Sequence, residues 1–470
     1  MLFNSIQFAL FFLVVTIVFF LIPHRFRWIH LLIASCVFYC AFVPIYILIL
    51  FFTILIDYIA GIYIEDAQGA KRKLFLTISL VSNLGVLAFF KYYNFFIENV
   101  NALIQTMGLQ VHEVPYLNIL LPIGLSFHTF QAMSYVIEVY RGNQKAERHL
   151  GLYSLYVLFY PQLVAGPIER PQNVLHQFRE EKKFESTEAV SGLQQMVWGL
   201  FKKVVVADQL AIYVNSIYNN WEVNNGFTLL FATYCFAFQI YCDFSGYSDI
   251  ALGAARVMGY RLMTNFSLPY FSKSVTEFWR RWHMSLSSWL KDYLYISLGG
   301  NRVGKWKTYR NLILTMVLGG LWHGASWNFV IWGFLNGIYL STEKLMGTFK
   351  VQTTSFLLRL GQVFVTFHLI CLTWVFFRAN SFKQAIGILT NMVQPIQFWN
   401  LRIQDTGIFA GMTFAFAILI FVEFFLIRKQ GEAIFNMRSM AWSVTWLVGF
   451  ALLIILFGVS DGDQFIYFQF

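Results

Sequence analysis

The side chains best suited to chemistry in this sequence are two histidines. His283 lies in Phe278-Trp279-Arg280-Arg281-Trp282-His283-Met284-Ser285-Leu286-Ser287, and His323 in Trp322-His323-Gly324-Ala325-Ser326-Trp327. Of the nine histidines, His24, His30, His149 and His176 sit in or beside charged loops, and His112 lies in a loop free of Lys and Arg. His128, His368, His283 and His323 fall in apolar stretches. A hydrogen-bonded packing role is the default for any one of them, yet an ionisable group at membrane depth is also a functional candidate. A neutral imidazole can take a proton from a hydroxyl or relay an acyl group. His323 stands between Trp322 and Gly324, and a glycine lets backbone approach a substrate closely. At 100° per residue the second histidine predicts a different setting. Trp279, Trp282, His283, Leu286, Trp289, Leu290, Tyr293 and Leu294 share one helical face, with Arg280, Arg281, Ser285, Ser288, Lys291 and Asp292 on the others. An amphipathic helix rich in Trp and Arg belongs at a membrane interface. The histidine on its apolar face requires a buried polar partner.

The elements that hold these residues are membrane helices. The chain has 470 residues, 58% hydrophobic and 12% charged, with a mean hydropathy of +0.58. A soluble domain carries about a quarter charged residues, so this chain lacks a polar coat. Its apolar runs approach the ~20 residues that span a bilayer, and they do not alternate as barrel strands do. The net charge of +10 comes from Lys and Arg in short loops, the pattern of cytoplasmic loops, and predicts membrane lipid and no nucleic acid as partner. Cys36, Cys40, Cys235, Cys242 and Cys371 show no paired spacing and predict small core residues, with neither disulfides nor a metal site. The sequence has no phosphate-loop, nucleophile-elbow or zinc-helix motif, so ATPase, hydrolase and metalloprotease readings lack support.

Loop charge orients the spans. The first run, about Phe8 to Ile22, lacks a preceding basic region and is expected to be a retained span with the N-terminus outside. Basic loops at His24–Arg27, Lys71–Lys73 and Arg141–Arg148 alternate with the Lys- and Arg-free loop from Glu98 to Asn118. Leu152–Pro167 is apolar but broken by Pro161, Gly166 and Pro167, which predicts a re-entrant segment. Spans are expected at Val190–Tyr218 and Phe227–Tyr241, and the polar stretch Cys242–Arg310 on the cytoplasmic side. The tail Ser460–Phe470 reads as outside, and the loop with Arg428, Lys429 and Arg438 as inside, as does Lys344–Lys350. Asn311–Leu345 must then be a hairpin turning near Trp322–Trp327. Its first limb, Asn311–Leu321, would reach about 16 Å at 1.5 Å per residue, placing His323 near mid-bilayer. No tandem repeat or linker interrupts the chain, so residues 1–470 are read as one domain.

These motifs, with Leu298-Gly299-Gly300-Asn301-Arg302, resemble the bacterial membrane-bound O-acyltransferase family, in particular its alginate O-acetylation branch. Leu121-Pro122-Ile123-Gly124, Leu163–Ile168, Trp374–Ala379 and Phe465–Phe470 extend the resemblance over essentially the whole chain. It implies an all-α polytopic fold of about 11–12 membrane-embedded helices with re-entrant segments around a central funnel. The implied activity is transfer of an acyl group, acetyl foremost, from a cytoplasmic thioester such as acetyl-CoA to a cell-surface polysaccharide. Alginate or peptidoglycan would accept it directly or through a periplasmic SGNH-type acetyltransferase. His323 matches the family's near-invariant histidine and His283 the second one. Trp279, Arg281, Trp282, Ser285, Asp292, Asn301, Arg302 and Trp322 are the expected donor-side residues. No bound cofactor or metal is expected, and the location implied is the bacterial inner membrane, with both termini outside. Competing readings are D-alanyl transfer to teichoic acid and a non-enzymatic transporter or scaffold of a polysaccharide export machine.

Overall fold

Long apolar runs bounded by basic or glycine-rich turns become helices. The computed structural model describes all residues except 109–111, 348–354, 395–400, 404, 428–434, 436–438, 460–464 and 467–470, and only the backbone of 425–427. The expected inside loop at Arg428, Lys429 and Arg438, Lys350 and most of the tail Ser460–Phe470 lie outside the described residues. Among the described residues the regular structure is helical, without strands. Among the described residues six helices are long and apolar enough to cross a membrane: Pro44–Asp66, Gly69–Thr106, Gly226–Val257, Phe356–Arg378, Thr406–Phe424 and Met440–Phe457. Large aliphatic side chains stand outward on them in rows, such as Val81 and Leu84, Leu357 and Val365, and Leu452 and Ile455. Exposed apolar area on that scale needs an apolar solvent.

The chain divides into two compact units, Met1–Glu185 with Met258–Leu262, and Ser186–Val257 with Met263–Phe470. In the first, helices Ile6–Leu21, His24–Cys40, Ile47–Asp66, Gly69–Leu87 and Leu125–Arg141 bury Phe19, Leu31, Phe38, Leu50 and Tyr135. Asp57 is fully buried and accepts from Ser79 Oγ at 2.5 Å and Asn83 Nδ2 at 2.9 Å. The segment expected to be re-entrant is two short helices, Leu150–Leu158 and Tyr160–Leu163, parted at Phe159. Nearly all of it is buried, as broken backbone at membrane depth must be.

The second unit holds both candidate histidines. Its long helix, Gly226–Val257, runs 32 residues and does not stop at Tyr241 as expected. The polar residues beyond that point find buried partners, so they need no water: Asp243 meets Lys203 Nζ at 2.8 Å, Ser245 accepts from Lys202 Nζ at 2.9 Å, and Ser248 accepts from Asn265 at 3.3 Å. Lys202 and Lys203 lie on a π-helical stretch, Phe201–Ala207, between the helices Ser186–Leu200 and Asp208–Tyr218. A π-bulge sets aside backbone groups that an α-helix would use. Here the Val204 carbonyl accepts the Val459 N–H at 3.0 Å.

The hairpin forms as expected, from helices Lys305–His323 and Trp327–Leu345 joined by Gly324–Ser326. Its first limb begins at Lys305, ahead of the expected Asn311, and spans 19 residues, about 28 Å at 1.5 Å per residue. Basic residues Lys305, Lys307 and Arg310 stand exposed on the added turns, where long cationic side chains can snorkel away from apolar surroundings. The limbs touch backbone to backbone. A Cβ on Gly320 would lie 2.2 Å from the Phe329 carbonyl oxygen, and one on Gly333 would lie 2.3 Å from that of Met316. Gly320→Ala is therefore expected to destabilise the protein by about 1–3 kcal/mol. Thermal unfolding in detergent checks this, and an unchanged midpoint would contradict the packing.

Candidate active site

His323 is the last residue of the first limb. Gly324 ends that helix in an extended conformation, with its N–H still bonded to the Gly320 carbonyl at 3.2 Å. A side chain there would strike the Phe329 ring at 2.1 Å, so the turn requires glycine. The His323 ring is buried among aromatic edges. Trp322 lies 5.0 Å away, Trp332 on the second limb 5.1 Å away and nearly perpendicular, and Phe377 on helix Phe356–Arg378 5.4 Å away.

His283 is not on a continuous amphipathic helix. The expected helix breaks into Val275–Arg281 and Met284–Trp289, with Trp282 extended and His283 left-handed at φ 42°. Only local polar bonds make that affordable for a non-glycine residue, and Asn265 supplies them. Its carbonyl accepts the Met284 N–H at 2.9 Å. Its Oδ1 accepts the Ser285 N–H at 3.2 Å and the Ser285 hydroxyl at 2.9 Å. The Leu286 N–H donates to His283 Nδ1 at 3.4 Å, and that nitrogen lies 3.2 Å from the Oδ1 of Asn265. This is the buried polar partner that the sequence required. The expected apolar face survives the break in part: Trp282, His283, Leu286, Trp289, Leu290 and Tyr293 are buried.

The two histidines stand against one indole. Trp322 lies 6.1 Å from the His283 ring and 5.0 Å from the His323 ring. Phe244 closes the other side of His283 at 4.6 Å. Trp282 meets Trp374 at 5.1 Å, and Trp279 meets Trp332 at 5.6 Å, so Trp279, Trp282 and Trp322 belong to this aromatic group. The remaining predicted donor-side residues are engaged otherwise. Ser285 is spent on Asn265. Arg281 pairs with Glu277 at 2.6 Å one turn away, and Asp292 lies 3.6 Å from Lys291. Asn301 is exposed and accepts from Tyr295 at 2.6 Å and from Lys344. Arg302 is exposed on the same turn. The other two candidate histidines have simple partners: His128 Nε2 meets Thr53 at 2.7 Å, and His368 Nε2 meets Tyr234 at 2.7 Å.

Asn265, Phe244, Trp332, Trp374 and Phe377 were not predicted. Trp374 and Phe377 sit in a motif that carried the resemblance without a role, and their spacing of one helical turn toward one face was the available signal. Asn265 is a positioning residue, so Asn265→Leu is expected to lower turnover by about tenfold, equivalent to ~1.4 kcal/mol. Asn265→Asp keeps an acceptor for the Ser285 N–H and hydroxyl and is expected to retain most of it. Turnover per folded, monodisperse protein checks this; equal activity of the leucine variant and the native protein would refute the role.

Residues 148–379 match the model of the MBOAT, membrane-bound O-acyltransferase family. The chain is 42% identical to "Probable alginate O-acetylase AlgI" of Azotobacter vinelandii, over 82% of this chain and 76% of that protein. It is 39% identical to the protein of the same name from Pseudomonas aeruginosa, over 90% and 81%. It is 32% identical to "Peptidoglycan O-acetyltransferase" of Helicobacter pylori, over 94% and 91%. The chain belongs to the membrane-bound O-acyltransferase family. It is thus a multi-pass membrane protein and an O-acyltransferase, with which the helical architecture and the six apolar helices among the described residues accord. The matched region of this O-acyltransferase contains both histidines, Asn265 and the whole aromatic group around Trp322.

Proposed function

We propose that this O-acyltransferase moves an acyl group, acetyl foremost, from a cytoplasmic thioester such as acetyl-CoA to hydroxyls of a cell-surface polysaccharide. The acceptor is alginate or peptidoglycan, reached directly or through a periplasmic SGNH-type acetyltransferase. The observation that carries this reading is the convergence of His323 and His283 on Trp322 within a buried, aromatic surround. His323 acts as general base: it takes the acceptor's hydroxyl proton as oxygen attacks the thioester carbon, and returns it to the departing thiolate. Excluding water from such a site protects the thioester from hydrolysis. His283, held in place beside Asn265, is its partner, and Trp279, Trp282 and Trp322 line the acyl path. The names of the relatives support acetyl as the group and a glycan as the acceptor.

The donor approaches the basic turn. Arg280, Lys291, Arg302, Lys305, Lys307 and Arg310 are exposed, and a field of one sign raises the local concentration of an anionic donor. Arg281, Asp292 and Asn301 shape that entrance. On this reading the entrance faces the cytoplasm across a bacterial inner membrane, with both termini outside, and the loop-charge pattern supports it. The test is purified protein in detergent with acetyl-CoA and oligosaccharides of alginate or peptidoglycan, read by mass spectrometry. An acetylated sugar is the expected product. Thioester left intact with every acceptor and with a co-purified periplasmic acetyltransferase would refute the reading.

A further inference from the structure

We propose that the indole N–H groups of Trp332 and Trp374 form the hydrogen-bond site for the acyl carbonyl oxygen while transfer takes place at His323; this rests on the role of His323 proposed above. Both side chains are 1% exposed. Both Nε1 atoms are buried and have no hydrogen-bond partner among the described residues. A buried donor left unpaired forfeits its hydration without compensation, and most buried polar groups in folded proteins have a partner. Two neighbouring indoles that share the omission point to one missing acceptor.

Their placement says which acceptor. The Trp332 and Trp374 rings stack at 5.8 Å and 22°. Trp332 meets the His323 ring edge-on at 5.1 Å, and Phe377 lies 5.4 Å from His323 and 5.2 Å from Trp374. The stack spans two elements, the second limb of the hairpin and helix Phe356–Arg378, so it is set by tertiary packing. The buried Nε1 of Trp279, on a ring 5.6 Å from Trp332, has no partner among the described residues either, which extends the row of donors toward the entrance side.

The chemistry needs such a group. When the acceptor oxygen bonds to the thioester carbon, the C=O π pair moves onto oxygen and the hydroxyl proton passes to His323. On collapse the C=O re-forms, the C–S bond breaks, and the thiolate takes the proton from the imidazolium. Ester and thiol are the only products. The transient oxyanion is best stabilised by preorganised N–H donors in a dry site. An indole donates and does not accept, so it neither competes for the proton nor quenches the base.

The experiment replaces Trp332 or Trp374 in the full-length protein with 3-benzothienylalanine, which has sulfur where indole has N–H and nearly the same shape. Either replacement is expected to lower kcat by about 10²-fold, the typical loss of one oxyanion donor, with KM and the unfolding midpoint little changed. Fluorotryptophans at the same positions, whose N–H is more acidic, are expected to restore or raise kcat. Retention of native kcat by both sulfur analogues, with His323→Ala inactive, would overturn this inference alone. Full activity of His323→Ala would remove the proposed function and the inference with it. Phenylalanine variants that fail to fold leave the analogue measurements decisive, since those keep the ring.

Discussion

Replacing His323 with alanine is expected to lower acyl transfer by on the order of 10²–10⁴-fold, the contribution typical of a positioned general base. The fold should survive, because His323 ends its helix and the cap is carried by the Gly324 N–H on the Gly320 carbonyl. The ring packs on Trp322, Trp332 and Phe377, so the variant loses some packing as well. His323→Gln keeps polarity and much of the volume without the base, and should be equally inactive with a smaller change in stability. His283→Ala should differ in kind. His283 caps the helix Met284–Trp289 from a left-handed position, and losing a cap costs about 1 kcal/mol. Its replacement should lower both the unfolding midpoint and turnover, with the turnover loss smaller than at His323. Matched initial rates and melting curves for the three variants check this, and a fully active, correctly folded His323→Gln would contradict it.

The largest stability effect is expected from Lys203→Met. Lys203 Nζ lies 2.7 Å from Asp208 and 2.8 Å from Asp243, and all three side chains are buried. Removing the cation leaves two carboxylates facing each other in a dry interior, and breaking a buried pair from one side costs about 3–5 kcal/mol. The pair also holds other elements: Asp243 Oδ2 accepts the Ile466 N–H at 2.8 Å, and the neighbouring Phe244 packs on both Phe465 and His283. Asp243→Asn still offers an acceptor to Ile466 and should cost less. Thermal unfolding in detergent separates the two, and equal midpoints for Lys203→Met and native protein would show that the network adds nothing to stability.

The contrast between these sites shows what the sequence could reveal. His283 and His323 were legible because an ionisable group is conspicuous in apolar surroundings, and because glycine and tryptophan framed one of them. The hairpin followed from loop charge alone, since both ends of Asn311–Leu345 carried the same sign. The break at Trp282–His283 was not legible. A helical wheel assumes uniform backbone, and the left-handed turn is held by Asn265, a residue separated in sequence and unremarkable in a polar stretch. Lys202 and Lys203 were hidden for a related reason. Lysines in an apolar run suggest a helix end, whereas here their partners on the long helix neutralise them in the interior. Trp332 and Trp374 looked like core aromatics, and only three-dimensional packing reveals that their N–H groups lack acceptors among the described residues.

In the proposed function one buried histidine moves an acyl group from a thioester on one side of a membrane to a hydroxyl on the other. The most direct measurement uses sealed vesicles holding the purified protein, with labelled acetyl-CoA on the face of the basic turn and oligosaccharide or the periplasmic acetyltransferase on the opposite face. The label should become an ester on the far side with native protein and remain as thioester with His323→Ala at equal incorporation. Ester formed equally well by His323→Ala, or formed only when donor and acceptor share one face, would contradict it.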